Sequence, residues 1–108
     1  MAAPKAVYKS KAELREAFNA QHFDDKAKRG QVSYRQEGNT SPAPPHLNFP
    51  PGTTSGRIAI IGGNGKKLAI CHRYLLPNGA IAGSGLNDPK ELLVGNELWL
   101  VDPNDKSN

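Results

Sequence analysis

The stretch RIAIIGGNGKKLAICHRYL, residues 57–75, decides the fold because it predicts two strands joined by a tight turn. Residues 57–61 are rich in isoleucine, and residues 67–75 again carry the aliphatic and aromatic residues that strands favour. Between them, GGNG at residues 62–65 supplies the conformational freedom that a reversal of the chain requires. We therefore predict an antiparallel hairpin at the centre of the fold.

The chain after this hairpin is expected to continue the antiparallel sheet, which would span residues 57–102. PNG at residues 77–79 is a strong turn signal, since proline presets its φ angle and glycine adopts the left-handed conformation. Residues 80–82 would then return to the sheet, and residues 97–101 predict a last strand.

One short helix is predicted inside this sheet region, near residues 88–93. Asp88 followed by Pro89 is typical of a helix start, because Asp caps the first turn and proline fits the first helical position. The glycines at residues 83–85 predict a further turn. Residues 103–108 are expected to form a disordered tail.

The N-terminal part of the chain, residues 1–38, predicts a helical segment that packs on the sheet. Ser10 and Glu13 have the spacing of a capping box, in which each residue satisfies a backbone N–H of the other. Leu14, Ala17 and Phe18 follow at helical spacing and give one apolar stripe. A short strand is expected to follow near residues 32–35.

The next segment, residues 39–56, is uncharged and contains five prolines, which predicts a proline-rich linker. The fold class that follows is α+β: an N-terminal helix, a proline-rich connector and a small antiparallel β-meander of three to five strands. With 108 residues, the chain has room for one small core.

The second strand of the predicted hairpin places different residues on its two faces, because side chains alternate along a strand. One face receives Lys67, Ala69, Cys71 and Arg73, and the other receives Leu68, Ile70, His72 and Tyr74. The small residues of the first face would let the N-terminal helix pack closely, or would leave that face open for a partner.

No motif in the chain identifies a catalytic or cofactor site. The glycines at residues 62–65 and 83–85 lack the spacing of a phosphate-binding loop, so they predict turns. The three histidines and the one cysteine are too scattered to bind a metal. Cys71 and His72 are neighbours that point to opposite faces of a strand, so they do not form a nucleophile–base pair. We expect no cofactor, no metal and no catalytic residue.

The charge distribution supplies the strongest functional signal. The net charge is +4, and no Asp or Glu occurs between Gly38 and Asn87. We predict that a surface in this region contacts a protein or nucleic-acid partner, with an ordinary solvated sheet face as the alternative. Its candidate residues are Arg57, Lys66, Lys67, Arg73, Tyr74 and Asn78.

The sequence therefore favours a small non-enzymatic binding protein that contacts another protein. It would be a modulator or inhibitor of an acidic or nucleic-acid-handling partner. Direct nucleic-acid binding through a basic sheet face is the first alternative. A small enzyme that uses Cys71 or His72 is the second. The small core is also compatible with a homo-oligomer. The lone cysteine and the lack of an apolar export segment predict a cytoplasmic protein without membrane contact.

Overall fold

The structure, a computed structural model, describes residues 3–82 and 88–106. The elements in chain order are β1 (Lys5–Lys9), α1 (Lys11–Ala20), α2 (Phe23–Lys28), β2 (Val32–Pro42), a 3₁₀ turn (Pro45–Leu47), β3 (Thr54–Gly62), β4 (Lys67–Leu75), β5 (Asp88–Val94) and β6 (Glu97–Val101). Across the described residues, the six strands form one sheet in the order β1-β6-β5-β4-β3-β2. All neighbouring pairs are antiparallel except β1 and β6, which are parallel.

The predicted central hairpin is confirmed in β3 and β4. The register places Ile58 opposite Cys71 on two antiparallel strands. The GGNG turn is closed by the backbone N–H of Gly62, which donates to the carbonyl of Lys66 at 2.8 Å. Gly65 has a φ of +82°, a conformation that glycine adopts without strain.

The PNG turn after β4 also forms where the sequence predicts it. The N–H of Gly79 donates to the carbonyl of Leu76 at 2.9 Å, and Gly79 has a φ of +89°. The expected return strand is short, however, because residues 80–82 contribute an isolated bridge between Leu75 and Ile81 and no full strand.

The α+β class is confirmed, but the prediction of a meander with three to five strands is wrong. Relative to the expectation, the sheet gains β1 at one edge and β5 in its interior, and β2 at the other edge is longer. β1 pairs in parallel with β6, with Val7 opposite Trp99. β2 continues to Pro42, well beyond residue 35. The result is a six-stranded mixed sheet that dominates the fold.

The segment predicted as a linker, residues 39–56, is partly built into this sheet. Pro42 pairs with Thr54 at the start of β3. Proline is tolerated there because β2 is an edge strand, where a missing N–H costs no bond to a second neighbour. The intervening loop is closed by Thr53, whose hydroxyl donates to the carbonyl of Pro50 at 2.7 Å.

The short helix predicted near residues 88–93 is instead the strand β5. Leu92 lies opposite Ala69 of β4 on one side and Trp99 of β6 on the other. Pairing on both sides outweighs the local helix-start signal, since propensity is a weak constraint beside tertiary contacts. The carboxylate of Asp88 therefore caps no helix. It accepts a hydrogen bond from Lys90 Nζ at 3.0 Å.

Part of the segment predicted as a disordered tail, residues 103–106, turns back to the start of α1. The backbone N–H of Lys11 donates to Asp105 Oδ2 at 2.7 Å. A carboxylate beside the first turn of a helix is favoured by the helix dipole, so this contact fastens the C-terminal segment to α1. Residues 107–108 and the glycine turn predicted at residues 83–85 lie outside the described residues.

The two helices pack on one side of the sheet, here called the inner face. Leu14 of α1 and Phe23 of α2 are buried there. The apolar side chains of this core are Leu14, Phe23, Val32, Ile58, Ile60, Ala69, Cys71 and Leu92. The hydroxyl of Tyr34 on β2 donates to Asp24 of α2, which adds a polar contact between helix and sheet.

The capping box at the start of α1 forms as predicted. The N–H of Glu13 donates to Ser10 Oγ at 3.1 Å, and the N–H of Ser10 donates to Glu13 Oε1 at 3.3 Å. The backbone N–H of Ser10, and then its hydroxyl, hold the pKa of the Glu13 carboxyl below its usual value.

We expect Ser10→Ala to lower the free energy of unfolding by about 0.5–2 kcal/mol, because it removes the acceptor for an N-terminal N–H of α1. Urea unfolding followed by circular dichroism measures the change. Ser33→Ala, at an exposed position of the edge strand β2, is the matched control. A Ser10→Ala protein as stable as this control would contradict the capping role.

Candidate functional site

The side of the sheet turned away from α1 and α2, here called the outer face, carries no helix among the described residues. Its side chains are those that alternate with the buried inner-face residues along each strand. They form two groups. Charged and ring side chains lie on β2, β3 and β4, and aliphatic side chains lie on β4, β5 and β6.

A β-bulge beside the central turn decides which face Lys67 occupies. Ile60 pairs with Ala69 but Ile61 pairs with Lys67, so Leu68 is an extra residue in β4. The extra residue reverses the alternation of side chains at this point. Lys67 therefore lies on the outer face, whereas Leu68 packs against the inner core. The prediction that placed Lys67 on one face with Ala69 is wrong.

Two cations bind one carboxylate on the outer face, and a third lies opposite it in the strand register. Glu37 Oε1 accepts hydrogen bonds from Lys67 Nζ at 3.1 Å and from Arg35 Nη2 at 3.2 Å. The lysine, and after it the arginine, hold the pKa of Glu37 below its usual value. Arg57 lies opposite Glu37 in the strand register, is exposed, and forms no ion pair with any described residue. We call Arg35, Arg57 and Lys67 the basic patch.

The structure brings together some of the predicted site residues and separates others. Those on the outer face are Arg57, Lys67 and Tyr74. Arg73 lies on the opposite side of β4, because it is the next residue after outward-facing His72. Lys66 and Asn78 occupy the turns at the two ends of β4. The side chain of Asn78 accepts a hydrogen bond from the N–H of Ala80 at 2.9 Å, so its carbonyl is used within the turn.

The sequence patterns do not single out Arg35 and Glu37, although both belong to the basic patch region. Their separation by one residue would have indicated a shared strand face. Because the predicted strand ends near residue 35, Glu37 lies outside it and the shared face is not predicted.

Ring side chains cluster on the outer face at the end of β4. The ring centres of His72 and Tyr74 are 4.7 Å apart with edge-on geometry, and those of Phe49 and Tyr74 are 5.1 Å apart. His72 Nε2 also lies 2.7 Å from Ser55 Oγ, which joins β3 to β4.

The environment of His72 favours its neutral form. Burial is the largest cause, and the nearby positive charges of Lys90 and Arg57 act in the same direction, so the pKa of His72 is lowered. Asp88 opposes this shift. The imidazole is therefore uncharged near pH 7 while it contacts the hydroxyl of Ser55.

A neutral imidazole beside a serine hydroxyl is the first half of a nucleophile–base arrangement. The carboxylate best placed to orient such a histidine would be Asp88, which lies opposite it in the register. Asp88 is instead paired with Lys90 at 3.0 Å and lies 3.8 Å from Arg15. Within the described residues, the Ser55–His72 contact thus links two strands and lacks the orienting carboxylate of a triad.

Cys71 has none of the properties of a reactive cysteine. It is fully buried in the core. Burial first, and the charge of Asp88 second, raise the pKa of its thiol to about 12. Since the thiolate is the reactive form, Cys71 stays protonated and unreactive while the sheet is intact.

Aliphatic side chains form the second group on the outer face. The register aligns Ile70 of β4 with Glu91 of β5 and Leu100 of β6, and aligns Leu93 with Leu98 in the next row. These aliphatic side chains are half-buried. We call Ile70, Leu93, Leu98 and Leu100 the aliphatic patch. A groove of about 230 Å³ is lined by part of this patch together with Pro4, Lys66, Glu91 and Lys67, which belongs to the basic patch.

Across residues 3–82 and 88–106, no three His, Cys, Asp or Glu side chains come together as a metal centre would require. None of the helices described there is long and apolar enough to cross a membrane.

The chain matches no known protein family, no curated protein and no solved structure.

We expect Cys71 in the folded protein to react with a disulfide reagent at least about 100-fold more slowly than in urea, because reaction requires local opening of the sheet. Absorbance at neutral pH follows the reaction. A cysteine placed at exposed position 33 in a Cys71→Ala background is the control. Equal rates for the two cysteines in the folded state would contradict the burial of Cys71.

We expect the protein to lose stability between pH 7.5 and pH 5 because of His72. Its pKa in the folded chain lies below the unfolded value of 6.5, so the unfolded chain binds the proton more readily. The stabilisation is complete above pH 6.5 and declines as the pH falls below it. Urea unfolding of the wild type and of His72→Gln at both pH values measures this difference. Identical pH dependence of stability in the two proteins would rule out His72 as the cause of the loss.

Proposed function

We propose that this chain is a small non-enzymatic protein that binds an acidic segment of another protein through the basic patch. It would then modulate or inhibit that partner. The observation that carries the proposal is the charge imbalance at the basic patch, where Arg35 and Lys67 share the carboxylate of Glu37 and Arg57 lies opposite Glu37 in the register.

Arg57 is the residue best placed to receive the partner. It is exposed, it has no ion pair within the described residues, and it lies on β3, between the strands that carry Arg35 and Lys67. A guanidinium forms two parallel hydrogen bonds with a carboxylate, which gives such contacts both strength and direction. Arg35 and Lys67 share one carboxylate, so their combined charge is only half neutralised.

Nucleic acid is the second candidate partner, and the ring cluster beside Arg57 is the observation that favours it. Single-stranded nucleic acids stack their bases on exposed aromatic faces next to cations. Tyr74, however, contacts both His72 and Phe49 through its ring. Because these rings already cover part of one another's surfaces, an acidic protein segment suits the outer face better.

The test compares four fluorescent probes by anisotropy: a short peptide of alternating glutamate and leucine, the same peptide with glutamine in place of glutamate, single-stranded DNA and single-stranded RNA. We expect the glutamate peptide to bind most tightly and to weaken as salt is added. Arg35→Glu with Arg57→Glu should weaken that binding by about tenfold or more, since two attractive contacts become repulsive.

The control is Lys28→Glu with Arg29→Glu, which changes the net charge equally at exposed positions on or next to α2. Thermal melts confirm that both variants fold. Equal loss of binding in the two variants would show a response to net charge alone and would refute the proposed patch. Tighter binding of the oligonucleotides, with a salt dependence of about three phosphate contacts, would instead support the nucleic-acid candidate.

A further inference from the structure

We propose that the aliphatic patch is a contact between two copies of this chain, related by a two-fold axis. The proposal goes beyond the binding function above, because it concerns a different group of side chains. The basic patch has its arginines on β2 and β3, whereas the aliphatic patch lies on β4, β5 and β6.

The composition of the patch favours a contact surface. Antiparallel sheets with one solvated face normally carry polar side chains on that face. Here Leu93 and Leu98 stand side by side in one row, and Ile70 and Leu100 flank Glu91 in the next. No helix or strand among the described residues packs over them. Contiguous apolar side chains of this kind mark contact surfaces.

The charges around the patch favour a second copy as its occupant. The side chain of Glu91 is half-buried between Ile70 and Leu100, and its carboxylate forms no ion pair or hydrogen bond with any described residue. Lys66 is exposed, lines the same groove, and likewise forms no ion pair within the described residues. A two-fold axis through the patch brings Lys66 of each copy towards Glu91 of the other, which makes two reciprocal pairs from one surface.

The size of the patch sets the strength of the contact. Three strands spaced roughly 4.8 Å apart, and about five residues long at roughly 3.3 Å each, give a strip of about 200–300 Å². Stable complexes bury about 800 Å² on each partner, so even with its rim this surface predicts a weak, reversible dimer. We expect a dissociation constant on the order of 100 μM.

Sedimentation velocity of the full chain over a range from micromolar to millimolar protein tests the proposal. The wild type should shift from monomer to dimer as its concentration rises. Leu98→Asp should weaken dimerisation at least about tenfold, because it places a charge in the apolar contact. Glu16→Lys, at an exposed position of α1, should leave dimerisation unchanged.

A charge exchange tests the pairing independently of folding defects. Glu91→Lys alone and Lys66→Glu alone should each weaken the dimer severalfold, and the double variant should return to within about twofold of the wild type. Thermal melts at low concentration establish that each variant is folded.

A wild type that stays monomeric up to millimolar concentration would overturn the proposal and leave the patch to a different partner. A dimer that Leu98→Asp leaves intact, or a double charge variant that does not recover, would also overturn it. Neither result bears on the acidic-peptide test, which uses changes at Arg35 and Arg57.

Discussion

The structure depends on the burial of one face of the sheet beneath two short helices. Leu14 of α1 is fully buried, and it joins Ile60, Cys71 and Leu92 from three neighbouring strands in a single core. Removal of this apolar surface from water is the largest favourable term in a domain of this size. Because α1 and α2 together have only enough length to cover the inner face, the outer face is left to solvent or to partners.

The bulge between Ile60 and Ile61 determines what that outer face contains. Without the extra residue, Lys67 would share the inner side with Ala69 and would have to be buried in the core or displaced from it. With it, Lys67 reaches Glu37 on β2, and Leu68 adds to the core. One inserted residue thus transfers a charge to the outer face and an aliphatic side chain to the inner face.

Local signals in the sequence predicted the parts of the fold that depend on neighbouring residues. The Ser10 capping box, the GGNG hairpin and the PNG turn are of this kind. β1 was not predicted, because its partner β6 is distant in the sequence and no local pattern indicates that pairing. β5 was mistaken for a helix for the same reason, since its conformation is set by strands on both sides.

The residues of the candidate site likewise divide into those that the sequence indicates and those that depend on strand pairing. Arg57 could be identified from the acid-free stretch of sequence. Arg35 and Glu37 could be identified only with the full length of β2, and the side occupied by Lys67 could be assigned only from the bulge in β4. Whether a cation forms an ion pair depends on the residues that lie next to it in the folded structure. Composition alone therefore overestimated the basic surface, because it counted Lys67 as free when Glu37 binds it.

The two groups on the outer face should respond to salt in opposite ways, and this separates their functions physically. Ions screen exposed charges beyond about 8–10 Å at moderate ionic strength, so contacts made by Arg57 weaken as salt is added. Apolar contacts such as those of Leu98 are not screened, and sulfate or phosphate salts strengthen them. Repulsion between two chains of net charge +4 opposes dimerisation, and salt relieves this repulsion while it also screens the proposed Lys66–Glu91 pairs. Sulfate or phosphate salts therefore release an acidic partner while they strengthen the apolar contact between two copies.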